Sequence, residues 1–159
     1  METTDIEETI TRNRIASKNF GGVFPVNRVP FKQNRLLDEV FFIINNQPAG
    51  YRGQHWLVVR LTRSKHSEPS EFFDPFGYPP SHYNPSITNM LILNGPSFIQ
   101  NNKHIQDQLS DYCGYYCMLY ILYRSMNYSM SNFLEMFSET NFKKNDKLAL
   151  ELVTKHFFS

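Results

Sequence analysis

The chain has 159 residues, with 16 Lys and Arg against 15 Asp and Glu for a formal net charge of +1. That length fits a single domain spanning residues 1–159, and that charge gives no reason to expect nucleic acid or an anionic membrane as a partner. Hydrophobic residues at 41% and aromatics at 15% exclude a disordered tail and point to a packed globule. No apolar run approaches the roughly 20 residues that span a bilayer. Met1 to Thr11 is too acidic and polar for a secretory signal, so a soluble, unexported protein without membrane contact is expected.

In chain order, Thr3-Thr4-Asp5 is expected to cap a helix through Ile6, Ile10 and Ile15 that stops near Gly21-Gly22. Val23 to Pro30 holds two prolines and reads as an irregular extended segment. Val40 to Ile44 is a continuous apolar run, the pattern of a strand buried on both faces, with a short helix over Arg35 to Glu39 leading in and a loop at Pro48-Ala49-Gly50 leading out. His55 to Leu61 and Glu71 to Phe73 read as two strands of a hairpin joined by a polar loop from Thr62 to Ser70, with Asp74-Pro75 ending the second. Pro79 to Pro85 is irregular, Ile87 to Leu93 is ambiguous between helix and strand, and Ser97 to Gln100 is a short strand. Cys113 to Tyr128 reads as a buried helix with Asp111 as its N-cap. A second helix opens at Ser129 or Ser131 and runs through Phe137. Asn145-Asp146 should cap a third, with Leu148, Leu152 and Phe157 on one face. The class is therefore α+β, a small mixed sheet packed against the helix that begins at Cys113.

Cys113 and Cys117 are the only cysteines, four apart, so there is no disulfide framework and a reducing compartment is expected. No His lies at a zinc-finger spacing from them, so no metal is expected. The start of a helix favours negative charge, which makes Cys113 a candidate nucleophile, while Cys117, one turn further in, reads as core. Gly114 lets the backbone approach closely on the substrate side. His55 stands at the mouth of one hairpin strand and Asp74 at the neighbouring end of the other, within reach of each other. Alone, each residue is more often an ordinary polar or core residue. Together they outline nucleophile, base and orienting carboxylate. An acyl transfer also needs oxyanion donors. The Cys113 N–H is one, and Gln106 or Gln108 supplies a carboxamide as the second.

Three blocks carry a resemblance: Gly53-Gln54-His55-Trp56, Phe73-Asp74-Pro75-Phe76-Gly77 and Cys113-Gly114-Tyr115-Tyr116-Cys117. In this order they resemble the histidine, acidic and nucleophile blocks of the adenovirus-type (adenain-like) cysteine endopeptidases and, more distantly, the SUMO and ubiquitin-like protein proteases. Phe20 to Pro25 is similar to an N-terminal segment of that family, so the likeness runs from about Phe20 to Tyr128. The resemblance implies a papain-like, adenain-like fold with Cys113, His55 and Asp74 as catalytic residues, and it selects Gln106 as the oxyanion glutamine. It also places Trp56 beside the histidine, where Trp56 and Gly114 would contact substrate. Asp74 stands where adenovirus members often carry glutamate. The resemblance implies viral capsid or core precursors as substrates, cut after small residues during particle maturation in the virion and infected cell, by a monomer without cofactor. Adenovirus members are stimulated by a disulfide-tethered peptide and by DNA. With no cysteine outside the nucleophile block and a near-neutral charge, neither is expected here. The chain looks like a compact relative of the kind virophages and adenovirus-like mobile elements encode. A ubiquitin-like isopeptidase and a catalytically silent binding module are the alternative readings.

Overall fold

A computed structural model describes residues 1–30, 38–47, 55–62, 68–95 and 97–159. Gly53-Gln54, the Pro48-Ala49-Gly50 loop, most of the expected helix before Glu39 and the centre of the hairpin connection lie outside the described residues. The sheet has five strands in sequence order, β1 (Phe20–Pro25), β2 (Glu39–Asn45), β3 (Trp56–Thr62), β4 (Ser70–Phe73) and β5 (Phe98–Gln100). The three central strands pair antiparallel, and β1 and β5 add parallel at the two edges. The sheet is mixed, as the sequence implied.

Both faces of the central strands are covered, which is why β2 reads as an unbroken apolar run. Phe41, Ile43, Trp56, Val58 and Phe73 face one layer, whose centre is the helix α3 (Cys113–Ser125). Val40, Phe42, Ile44, Leu57, Val59, Leu61 and Phe72 face the other, covered by the helix α2 (Pro85–Asn94) through Ile87, Met90 and Leu91. The ambiguous run after Pro85 is thus helical. Asn84 caps it, accepting a hydrogen bond from the Ser86 N–H at 2.9 Å, and Pro85 fills the first turn, where a missing N–H costs nothing.

Several expected boundaries move, and Val23 to Pro25, expected to be irregular, belongs to β1. The first helix, α1 (Thr3–Arg12), ends well before Gly21 because the Asn13 side chain accepts hydrogen bonds from the N–H groups of Ile15 and Ala16, turning the chain away from the helix. Ile15 is consequently exposed. Gly21-Gly22 belongs instead to β1, at a bulge where the register with β2 shifts. Gly22 has φ +126°, and a Cβ on Gly21 would lie 2.4 Å from the Phe42 ring. The N-cap position of α3 is Tyr112 rather than Asp111, because the Tyr112 carbonyl accepts from the N–H groups of Tyr115 and Tyr116. After α4 (Met130–Glu135), capped by Ser129, the last helix α5 (Phe142–Phe157) is capped by Asn141. Asn145 and Asp146 lie inside its first turns, buried and used for tertiary contacts.

Candidate active site

The end of β4 is built around one carboxylate. Asp74 is fully buried and accepts four hydrogen bonds. Its Oδ1 takes the His55 Nε2–H at 2.6 Å and the Phe76 N–H at 2.9 Å; its Oδ2 takes the Tyr83 hydroxyl at 2.6 Å and the Tyr78 N–H at 3.2 Å. The turn that presents those backbone donors closes with the Gly77 N–H on the Asp74 carbonyl at 2.8 Å. Gly77 sits at φ +77°, where a Cβ would also lie 3.0 Å from the Asn102 carbonyl oxygen, so only glycine fits. Asn101, just beyond β5, holds the same residue from behind: its Oδ1 accepts the Asp74 N–H and its Nδ2 donates to the Asp74 carbonyl.

His55 immediately precedes β3 and is 6% exposed. Its N–H is held by the Asn46 side chain at 3.1 Å, and its ring stacks on Phe76 at 4.5 Å between centroids. With Nε2 bonded to Asp74, the remaining ring nitrogen is left for Cys113, with which the imidazole also interacts. Burial alone would lower the affinity of His55 for a proton. Hydrogen bonds to Asp74 and Cys113, and the charges of both, outweigh it and raise the pKa to about 9. The surroundings therefore favour the protonated imidazole.

Cys113 is the first residue of α3 and is 5% exposed. Helices α2, α4 and α5 are capped by Asn84, Ser129 and Asn141, whereas α3 has no side-chain cap and no acidic residue in its first turn. The positive end of its dipole is left uncompensated where the sulfur sits. Cys117 is fully buried, and burial, then the charges of Cys113 and Asp74, push its thiol well above the ordinary range. It behaves as core. Cys113 is kept in register with the hairpin from below, because α3 grips β4. The Tyr120 hydroxyl donates to Glu71, the Arg124 guanidinium bonds both Glu71 oxygens, and the Tyr120 ring stacks on Phe73 at 4.4 Å.

Gln106 is fully buried, whereas Gln108 is exposed. The Asp74 turn positions it, since the N–H groups of Ile105 and Gln106 both donate to the Pro75 carbonyl. Its Nε2 donates to the Ser110 carbonyl at 3.0 Å, and its Oε1 has no partner. Trp56 opens β3 and packs against Gly114, with its Cδ1 3.5 Å from where a Gly114 Cβ would be. Met1 Sδ and Ile6 Cδ1 close the rest of that space, at 3.1 and 3.5 Å. Gly114 is therefore buried between α1 and β3 rather than standing on an open face. The side chains of Asp74, His55 and Cys113 are brought together, and Gln106 is tied to the same turn. Tyr83, Asn101 and the stacking role of Phe76 were not foreseen. Asn101 lies 27 residues from Asp74, and no local pattern links them. Among the described residues, no group of three or more His, Cys, Asp or Glu is placed to hold a metal ion.

No protein-family model matches the chain, and no curated protein does. Solved structures do. The ASFV pS273R protease superposes with a TM-score of 0.62 at 19% identity, covering 99% of this chain and 67% of that one. The SUMO protease Ulp1 with its catalytic cysteine oxidised to a sulfinic acid superposes with a TM-score of 0.53 at 15% identity, covering 99% and 78%. The sulfonic acid form of Ulp1 gives 0.52 at 14% identity, covering 96% and 79%. The chain thus shares the α+β fold of the ASFV pS273R protease and the SUMO protease Ulp1.

Proposed function

We propose that the chain is a cysteine peptidase in which Cys113 is the nucleophile, His55 the general base and Asp74 the residue that orients the imidazole. One observation carries this reading: a buried imidazole bonded to a carboxylate through Nε2 and interacting with the side chain of Cys113 at an uncapped helix start. His55 deprotonates or ion-pairs with Cys113 to give the attacking sulfur nucleophile. The thiolate attacks a peptide carbonyl carbon, and the resulting oxyanion is held by the Cys113 N–H and the Gln106 Nε2. As the tetrahedral intermediate collapses, the C–N bond breaks and His55 gives its proton to the leaving amine. His55 then takes a proton from water, which attacks the thioester and releases the acid. Asp74 keeps Nε2 bonded and so orients the imidazole. Trp56 flanks the approach to the sulfur, with Gly114 packed behind it.

The fold of the ASFV pS273R protease supports a viral-type endopeptidase. In that reading one peptidase domain cuts capsid or core precursors after small residues, in the virion or infected cell. The likeness to Ulp1 favours a second reading, cleavage of a ubiquitin-like protein from its conjugates by the same site. Incubation of wild type, Cys113→Ala and Cys117→Ala with candidate precursors and with ubiquitin-like conjugates distinguishes them. Wild type and Cys117→Ala cleave, and Cys113→Ala does not. Cleavage of conjugates with precursors left intact selects the isopeptidase, and activity surviving in Cys113→Ala removes the assignment.

A further inference from the structure

The Asp74 carboxylate has four acceptor positions, and the structure fills all of them. Two donors are backbone N–H groups fixed by the turn, and one is the imidazole. The fourth is the hydroxyl of Tyr83, the single partner that comes from outside the turn and carries no duty in the reaction proposed above. Its ring is placed by Phe72 at 6.3 Å and by His82 edge-on at 5.0 Å, and it lies 6.1 Å from the His55 ring. Burial and the Asp74 charge hold the hydroxyl in its protonated form, so it can only donate to the carboxylate.

We propose that Tyr83 is a positioning residue whose hydroxyl fixes the rotation of the Asp74 carboxylate and sets how strongly that carboxylate holds His55. The inference deepens the peptidase reading and rests on it for its consequence in catalysis. A carboxylate that accepts a short hydrogen bond on Oδ2 has less charge to offer on Oδ1. Tyr83 therefore moderates the affinity of His55 for its proton, so that the imidazole can still part with it to a leaving amine. The other titratable groups around the pair are Cys113 from α3, Tyr78 and His82 from the connection after β4, and His104 behind Phe76. None of these is altered by the test.

The test follows the titration of the His55 ring by NMR, which does not require activity. Tyr83→Phe keeps the ring and removes the donor, and it should raise the His55 midpoint by roughly half to one pH unit. Site-specific 3-fluorotyrosine at position 83 keeps the ring and strengthens the donor, and it should move the midpoint down. Tyr120→Phe, which removes a buried hydroxyl from Glu71 instead, should lower the melting temperature and leave the midpoint in place. In a peptidase assay Tyr83→Phe should lower kcat several-fold with KM unchanged. An unmoved His55 midpoint in both position-83 variants overturns the inference. A moved midpoint in a chain that cleaves nothing overturns the peptidase reading while leaving the positioning of Asp74 by Tyr83 standing.

Discussion

Two buried carboxylates lie three residues apart, Glu71 on β4 and Asp74 just past its end, and are satisfied in opposite ways. Glu71 is compensated by permanent cations: Arg60 at 2.8 Å from β3 and Arg124 at 2.6 Å from α3, with the Tyr120 hydroxyl as a further donor. Arg60 in turn reaches Glu39 and Glu68. Asp74 has no guanidinium among the partners described above. Its donors are two N–H groups, a tyrosine and an imidazole, and among the described residues the charge paired with its own sits on the titratable His55. Arginine keeps its charge at any pH of interest, so the cations that tie α3 to the hairpin through Glu71 do not titrate. Histidine can gain and lose a proton, so the Asp74 cluster can take part in proton transfer. The contrast separates a structural use of a buried carboxylate from a chemical one.

The largest expected effect falls on the chemical member. In Asp74→Asn the carboxamide must turn an N–H toward one of the four donors. His55 loses its anchor, and cleavage should fall roughly a thousandfold to ten-thousandfold in steady-state assays. Glu71→Gln should act on stability instead. It leaves the partly buried Arg124 without its bidentate carboxylate and Arg60 with Glu39 and Glu68 alone, and should cost about 1–3 kcal/mol in urea unfolding. The pH at which activity of its folded fraction declines should stay where wild type has it. A Glu71→Gln variant that shifted this pH would break the distinction.

The sign of the pH dependence sharpens the same contrast. The folded His55 pKa lies at about 9, above its ordinary 6.5. The stability it contributes is therefore fully present below about 6.5 and is lost as pH rises through about 9. Urea unfolding between pH 6 and 10 should show this decline in wild type and in Glu71→Gln, and His55→Gln should remove the His55 share of it. Smaller still is Tyr120→Phe, which deletes one donor to Glu71 while keeping the stack on Phe73. It should lower stability by about 1 kcal/mol without changing the activity of folded protein.

The hairpin, the buried β2, the helix beginning at Cys113 and the strand ends bearing His55 and Asp74 were legible in the sequence. Apolar runs and a Pro after Asp mark such elements locally. Helix boundaries were less so, because side chains with a capping chemistry were used for something else. Asn13 ends α1 by bonding Ile15 and Ala16, and Asn145 reaches across to the Ile105 carbonyl instead of capping α5. The uncapped start of α3 reverses an expectation and adds to the site, since an aspartate cap there would have answered the helix dipole beside the sulfur. Tyr83, Asn101 and the grip of Tyr120 and Arg124 on Glu71 are contacts between distant segments, and nothing in residue spacing encodes them. Gln106 could be named only through family resemblance. Its burial beside the Pro75 carbonyl separates it from the exposed Gln108, a distinction position along the chain does not make.

The central claim is that Asp74, His55 and Cys113 act as one unit. The most direct measurement is the rate of Cys113 alkylation by iodoacetamide at pH 7, mapped by mass spectrometry in wild type and His55→Ala with Cys117 as the internal comparison. The account predicts that Cys113 reacts at least about tenfold faster in wild type than in His55→Ala, while Cys117 stays unmodified in the folded chain. Equal rates in the two proteins, or a wild-type Cys113 no more reactive than a free thiol, would contradict it.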